Sequence, residues 1–163
     1  NSQVVFGYRP RYDFDKGPEI KSLAELPVPL SGVIIKECAA YFPRDIDQSK
    51  KLIREWVAFL TCRQITPILA TVVPVTKEND AQHPGRLISI LAFNDFIREY
   101  AFQERILVLD LEKAVRISET DRHLKNEYAQ SDGLHLVRKA YDEALDGIVL
   151  PVINSAIRNY VNR

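Results

Sequence analysis

The sequence contains no methionine, and only two cysteines occur among its 163 residues. The missing methionine includes the initiator, which predicts that a segment has been removed or that a modified residue is not shown. Two thiols cannot build a disulfide framework, and the spacing of Cys38 and Cys62 matches no metal-ligand motif. The pattern predicts that both are small buried apolar residues. The sequence does not decide whether the two cysteines form a single disulfide bridge, so it leaves the redox compartment undecided as well.

The sequence also lacks an excess of charge of either sign. Lys plus Arg and Asp plus Glu number 22 each, so the formal net charge is zero. Without a basic tract the chain has no electrostatic pull on nucleic acid or on an anionic membrane, and neither is expected as a partner. No apolar run is long enough to span a bilayer, and no signal peptide is visible. Secreted, periplasmic and cytoplasmic locations all remain open.

Apolar runs of strand length alternate with segments of helical period. Strands are predicted at residues 4–6, 32–37, 68–73 and 106–109, and Pro67 opens the third of them. Helices are predicted near residues 19–26, after a cap at Asp45 or Asp47, at residues 86–103, and at residues 134–163 with a break at Gly147 and Pro151. Residues 76–85 and 121–130 are predicted to be polar loops.

This alternation and the uniformly apolar strands predict a parallel sheet that is covered on both faces. A length of 163 residues with 46% apolar side chains predicts a single domain over residues 1–163. Ligands of such sheets bind outside the carboxyl ends of the strands. The loops predicted to open at that edge are residues 7–12, 37–44, 74–85 and 110–135.

A short motif near the C-terminus, Ser131-Asp132-Gly133-Leu134-His135-Leu136, carries the clearest chemical signal. It places a carboxylate three residues before an imidazole, with a glycine between them that lets the backbone turn. In a tight turn Asp132 reaches Nδ1 of His135 and leaves Nε2 free to act as a general base. The alternative is a turn with a helix N-cap at Ser131 or Asp132, in which His135 is half-buried and structural.

The other polar candidates give weaker signals. His83 is predicted to be a solvated loop residue on a loop that lines the expected cleft, and His123 is predicted to lie on the surface. Because these histidines do not converge with acids at metal-ligand spacing, we expect no metal. Glu37 and Lys36 end a buried strand, where an ion pair is favoured over contact with substrate.

Four segments follow one another in the chain: the strand at residues 33–37 with its loop at residues 38–43, the strand and proline at residues 66–74, the helix at residues 92–101, and the Asp132-Gly133-Leu134-His135 block. In this order they resemble the SGNH, or GDSL-type, hydrolase family. The resemblance implies a flavodoxin-like, three-layer α/β/α fold without a cofactor. It also implies that His135 and Asp132 act on a serine nucleophile. The implied substrates are acyl esters, including small esters, lipids and acetylated carbohydrates.

Two blocks of that family have no counterpart in the sequence. No Gly-Asp-Ser block is present to supply the nucleophile, and Glu37-Cys38-Ala39-Ala40-Tyr41 stands where the family has an oxyanion-binding Gly-x-Asn-Asp. The nucleophile and the oxyanion donors are therefore unassigned, and we expect that the first strand and nucleophile turn are missing. An acyl or acetyl transferase and a catalytically silent binding domain remain as alternatives. A nucleotide-binding protein is disfavoured because no Gly-rich phosphate loop is present.

Overall fold

The computed structural model describes Gly7 and residues 13–161 of the chain. Within them lie three parallel strands: β1 (Gly32–Ile35), β2 (Thr66–Ala70) and β3 (Leu107–Leu109). Their order in the sheet is β1-β2-β3, with Ile34 opposite Ile68 and Ile68 opposite Leu107. The strand predicted at residues 4–6 and the loop residues 8–12 lie outside the described residues.

Helices connect these strands and complete the described chain. In order they are α1 (Gly17–Ala24), α2 (Ile46–Cys62), α3 (Lys77–Gln82), α4 (Arg86–Glu104), α5 (Leu111–Val115), α6 (Arg138–Ala140) and α7 (Asp146–Val161). A π-helical turn at Tyr141–Leu145 joins α6 to α7, and short 3₁₀ turns lie at Ala39–Tyr41 and Asn126–Tyr128. No helix in this described part of the chain is both long and apolar enough to cross a bilayer.

The apolar side chains form two cores, one on each face of the sheet. Ile35 and Leu69 belong to the first core, together with side chains of α1, α2 and α4. Ile68 and Leu109 belong to the second, together with side chains of α5 and the C-terminal helices. Because neighbouring strand residues point to opposite faces, one uniformly apolar strand supplies both cores. The predicted three-layer α/β/α fold is confirmed.

The strands are shorter than the apolar runs that predicted them. The apolar run at residues 68–73 does not continue as a strand beyond Ala70. The backbone N–H and carbonyl of Val72 form their hydrogen bonds with the buried side-chain amide of Asn94 instead of with a neighbouring strand. Asn94 accepts from the Val72 N–H at 2.7 Å and donates to its carbonyl at 2.8 Å. At the other end, β2 includes Pro67 and begins at Thr66, whose N–H donates toward β1. Because the N–H groups of successive strand residues point to opposite sides, the backbone nitrogen of Pro67 points away from β1. Pro67 therefore loses no hydrogen bond to β1 by lacking an N–H.

Two short helices occupy segments where no helix is predicted. Residues 76–85 contain α3, whose N-terminus is capped by Thr76: its hydroxyl accepts from the Asn79 N–H at 3.3 Å. Asp110 caps α5 in the same way, through the Lys113 N–H at 3.2 Å. Between the two candidate caps of α2, the structure selects Asp45, which accepts from two backbone N–H groups of the first turn. Short capped helices lack the apolar period that reveals longer ones.

The C-terminal helical region differs from its prediction at both its start and its interior. Helix begins at Arg138 instead of residue 134, because a β-bridge between Ala129 and Leu136 keeps the preceding residues extended. The predicted break at Gly147 and Pro151 is wrong, since both lie inside α7. The irregularity is the π-helical turn that precedes α7. The prediction for the cysteines is also wrong: Cys38 is half-buried, Cys62 is exposed, and both are free thiols.

Candidate active site

The Asp132–His135 motif forms a tight turn in which the two side chains meet. Nδ1 of His135 lies 2.5 Å from Oδ2 of Asp132. The other carboxylate oxygen, Oδ1, accepts from the backbone N–H groups of Leu134 at 2.9 Å and His135 at 3.0 Å. Gly133 adopts a φ of +68°, which favours glycine. The turn therefore brings the predicted pair together and aligns the carboxylate with the imidazole.

The surroundings of this pair suit proton transfer. Hydrogen bonds from the His135 side chain and backbone lower the pKa of Asp132 to about 2, so the carboxylate is ionised at neutral pH. The His135 side chain is 60% exposed, and no other described residue forms a hydrogen bond or ion pair with it. A carboxylate on Nδ1 favours the tautomer with the proton on that nitrogen. Nε2 is then left unprotonated in the neutral ring.

Residues at the N-terminus of α3 form hydrogen bonds with the backbone of the turn. The Thr76 N–H donates to the Gly133 carbonyl at 3.0 Å, and the side-chain amide of Asn79 donates to the Asp132 carbonyl at 2.8 Å. The approach is so close that a Cβ on Gly133 would overlap the Thr76 hydroxyl. Because α3 follows β2, this contact places the turn at the carboxyl edge of the sheet, where ligands bind in such folds.

Arg86 connects this region to the loop that follows β1. Its Nη1 donates to Oδ1 of Asn79 at 2.9 Å, and its Nε donates to the Phe42 carbonyl at 3.0 Å. Sequence analysis missed Thr76 and Asn79 because residues 76–85 read as a polar loop, and it missed Arg86 because that residue read only as the start of the next helix. The Thr76 cap followed by Lys77 and Glu78, both good helix formers, was the signal available.

Both of the other histidines have defined surroundings. His83 is exposed at the end of α3, as predicted for a solvated residue. His123 is not a free surface residue: its Nδ1 lies 2.7 Å from Asp121, and its Nε2 lies 3.7 Å from Asp80. Hydrogen bonds from Lys77 and His123 lower the pKa of Asp121 to about 2. No cluster of three potential metal ligands occurs in the described ranges.

Glu37 is a buried acid at the carboxyl end of β1. Only 2% of the residue is exposed, and burial raises its pKa to about 7 against the opposing effect of Lys16. Its ion-pair partner is Lys16, with Nζ 3.1 Å from Oε2, whereas the neighbouring Lys36 is exposed. The predicted ion pair at the strand edge is present, but its cation comes from the segment before α1.

A second polar cluster lies around Glu112, which is completely buried. Its carboxylate accepts from Arg98 at 2.8 Å, from Arg122 at 2.6 and 2.8 Å, and from Asn94 at 3.0 Å. Although burial alone would raise the pKa of Glu112, these hydrogen bonds bring it below its ordinary value. Arg116 adds a further contact at 3.4 Å. The cluster joins α4, α5 and the segment that leads to the Asp132 turn.

No serine in the described part of the chain lies in a strand–turn–helix context at the carboxyl edge. Ser49 and Ser89 are buried in helices, and Ser31 precedes β1 at the opposite edge. The remaining described serines lie within helices or loops: Ser22, Ser118, Ser131 and Ser155. The loop at Cys38–Pro43, where the oxyanion block was expected, contains no side-chain amide. The nucleophile and the oxyanion donors stay unassigned.

The fold has clear counterparts among solved structures. A GDSL-like lipase from Bacteroides thetaiotaomicron superposes with a TM-score of 0.66 at 20% identity over 77% of this chain. A lipase/acylhydrolase from Enterococcus faecalis gives 0.59 at 20% identity over 78%, and a G-D-S-L family lipolytic protein from Veillonella parvula gives 0.63 at 15% over 84%. The chain has the SGNH/GDSL-type hydrolase fold.

The chain corresponds to only part of the length of each of these proteins. This chain spans 63%, 62% and 72% of the length of those three proteins, respectively. No protein-family model and no curated protein sequence matches it. The resemblance is therefore one of three-dimensional structure, and the chemistry has to be argued from the residues of this chain.

Proposed function

We propose that the protein is a serine-type ester hydrolase in which His135 is the general base and Asp132 orients it. The observation that carries the proposal is the 2.5 Å contact between Nδ1 of His135 and a carboxylate whose other oxygen is fixed by two backbone N–H groups. The exposure of His135 at the carboxyl edge of the sheet leaves its ring open to a substrate. The likeness to GDSL-type lipases supports the same chemistry.

The proposed reaction has two halves. In the first, Nε2 of His135 takes the proton from a serine hydroxyl as its oxygen bonds to the ester carbonyl, and the same proton then passes to the departing alcohol. In the second, His135 takes a proton from water, which attacks the acyl-enzyme, and returns it to the serine as the acid leaves. Throughout, the ionised Asp132 stabilises the imidazolium that forms between these steps.

The proposal places the nucleophilic serine outside the described residues and leaves the oxyanion donors unassigned. No described serine has the required strand–turn–helix context. The substrate is proposed to be a small-molecule, lipid or acetylated carbohydrate ester. Acyl transfer would use the same His135 with a sugar hydroxyl in place of water, and the exposed ring is open to either acceptor.

One observation favours a second candidate, a catalytically silent binding domain. Neither a serine in the nucleophile context nor a side-chain amide in the Cys38–Pro43 loop is present in the described part of the chain. A silent domain would bind an ester or a carbohydrate at the same edge without turning it over. It would keep the fold and the Asp132 turn, but it would show no activity in the test below.

The proposal is tested with the full-length protein and a short-chain aryl ester. Replacement His135→Ala should lower kcat by about 1,000-fold or more, because the general base is lost. Replacement His83→Ala, at an exposed histidine on the same edge, is the matched control and should leave kcat within about twofold. Equal turnover by wild type and His135→Ala would overturn the proposal, and the absence of turnover in wild type would favour the silent domain.

A further inference from the structure

We infer that Asn79 is a positioning residue for the Asp132–His135 pair and that Arg86 extends its hold to the loop after β1. The inference rests on the proposed function for its catalytic meaning. It concerns a chain of three hydrogen bonds that joins two segments far apart in sequence. The segments are the Asp132 turn and the loop that contains Phe42.

Asn79 is built into the first link of this chain. Only 6% of the residue is exposed, and its amide uses both of its ends. The nitrogen donates to the Asp132 carbonyl at 2.8 Å, and the oxygen accepts from Arg86 at 2.9 Å. A side-chain amide donates from its nitrogen and accepts at its oxygen without carrying a charge. A carboxylate would keep the bond to Arg86 and lose the bond to Asp132.

Arg86 supplies the second and third links through one rigid guanidinium group. Its Nη1 and Nε donate in fixed relative directions, one to Asn79 and one to the Phe42 carbonyl. The position of the loop after β1 is thereby fixed relative to the turn that carries the imidazole. That loop occupies the place where the oxyanion block was expected. A base and an oxyanion site must hold such a fixed separation, since a displacement of about 1 Å can cost about 100-fold in rate.

The turn has other anchors, which separate positioning from folding. The Gly133 carbonyl accepts from Thr76, and the Gly133 N–H donates to Gln130. When Asn79 is replaced, the bond from Thr76 keeps the turn attached to the N-terminus of α3, and the bond to Gln130 keeps the turn itself closed. What changes is the orientation of the Asp132 peptide, and with it the direction in which the carboxylate meets Nδ1. Loss of Asn79 should therefore misalign the pair without releasing the turn.

The decisive readout is the tautomer of His135, measured by ¹⁵N NMR of histidine-labelled protein at a pH where the ring is neutral. Wild type should hold the proton on Nδ1. Asn79→Ala and Asn79→Asp should both give a mixture of tautomers, while Gln82→Ala, an exposed side chain on the same helix, should match wild type. Arg86→Lys, which loses one of the two donors, should give a smaller change than Asn79→Ala. Circular dichroism verifies that each variant is folded.

The kinetic readout is a split between kcat and KM on the aryl ester. Asn79→Ala should lower kcat by about 10- to 100-fold with KM within about threefold, because alignment of the base is lost while the binding surface is kept. An unchanged tautomer in folded Asn79→Ala would overturn the inference. The tautomer is measured without substrate, so a shift in a protein that turns over no ester would sustain the positioning and refute the proposed hydrolase activity alone. If Asn79→Ala does not fold, Arg86→Lys decides by the same measurement.

Discussion

The Asp132 turn and the Glu112 cluster each contain a carboxylate bound to cationic or ionisable side chains, but they differ in burial and in hydrogen bonding. Glu112 is fully buried, and three arginines and an amide surround its carboxylate. Asp132 is about half-exposed, and its one ionisable partner, His135, is more exposed still. In the first case every lone pair has a fixed donor. In the second, one ring nitrogen is left without a partner among the described residues.

The difference shows that burial and complete hydrogen bonding distinguish a structural charged group from one that can exchange a proton. A buried carboxylate that is fully hydrogen-bonded stays ionised and holds its neighbours in place, but it has no capacity to exchange a proton. An exposed imidazole oriented by one carboxylate can bind and release a proton at little structural cost. Under the proposed function, the Glu112 cluster therefore serves stability and the Asp132 turn serves chemistry, although both contain titratable groups.

The largest effect on stability should follow removal of the central charge of the cluster. Glu112→Gln leaves Arg98, Arg116 and Arg122 without their shared partner. The free energy of unfolding should fall by about 3–5 kcal/mol, the usual cost of breaking a buried ion pair. Urea denaturation measures the change. Glu119→Gln, an exposed acid paired with Arg116 at 3.6 Å, is the control and should cost less than about 1 kcal/mol. Equal losses in the two variants would contradict the comparison.

Glu37 is an intermediate case, because it is buried like Glu112 but its carboxylate has fewer cationic and hydrogen-bonding partners. Burial raises its pKa from 4.5 to about 7, so the folded protein binds this proton more tightly than the unfolded chain does. Its contribution to stability is therefore full below pH 4.5 and is lost as the pH rises through about 7. The loss amounts to about 3 kcal/mol at the upper end of that window.

Replacement Glu37→Gln should abolish this pH dependence, since the amide carries no proton to lose. Urea midpoints measured between pH 4 and pH 8.5 should fall with pH in wild type and stay flatter in the variant. The exposed acid Glu25, replaced by Gln, is the control and should leave the wild-type slope unchanged. A wild-type slope that survives in Glu37→Gln would assign the pH dependence to other groups.

Within the Asp132 turn, the most sensitive backbone position should be Gly133. Gly133→Ala introduces a Cβ at positive φ and against the Thr76 hydroxyl, so we expect a loss of about 1–3 kcal/mol in stability. The local strain should also displace the imidazole and reduce esterase activity. Thermal unfolding and aryl ester turnover measure the two effects. Gly85→Ala, also at positive φ but with open space around it, separates the strain from the steric contact. If both variants lose equal stability, the contact with Thr76 is not important.

The smallest effect should come from a cap remote from both charged regions. Asp45→Ala removes the two hydrogen bonds that its carboxylate accepts at the start of α2. The expected cost is about 1 kcal/mol, with unchanged activity. Asp47→Ala, at the neighbouring acid that does not cap the helix, is the matched control in the same denaturation experiment. A larger loss at Asp47 would show that the cap is wrongly assigned.

Sequence reasoning succeeded where the physics is local. The contact between Asp132 and His135 follows from a three-residue spacing around a glycine, and the layered fold follows from apolar runs of alternating period. The exposure of Cys62 was also readable, because Ile53, Trp56, Val57 and Leu60 place position 62 on the outer face of α2. The wrong prediction there ignored helical phase in favour of the average burial of cysteine.

Other features that the sequence did not reveal are contacts between distant segments. Asn79 meets a backbone carbonyl 53 positions away, and Glu37 pairs with a lysine from the segment before α1. Nothing in the local sequence of either residue specifies those partners. The six residues of α3 carry no apolar period, so its existence depended on recognising the Thr76 cap. The support of the candidate site was therefore harder to predict than the two side chains that we propose to be catalytic.

The central claim is that His135 activates a serine, and labelling of the full-length protein with a fluorophosphonate tests it most directly. Mass spectrometry of the intact and digested protein should show one adduct per chain, on a single serine. The rate of labelling should fall by about 100-fold or more in His135→Ala and stay near the wild-type rate in His83→Ala. No serine adduct in wild type, or an equal rate of labelling in His135→Ala, would contradict the claim.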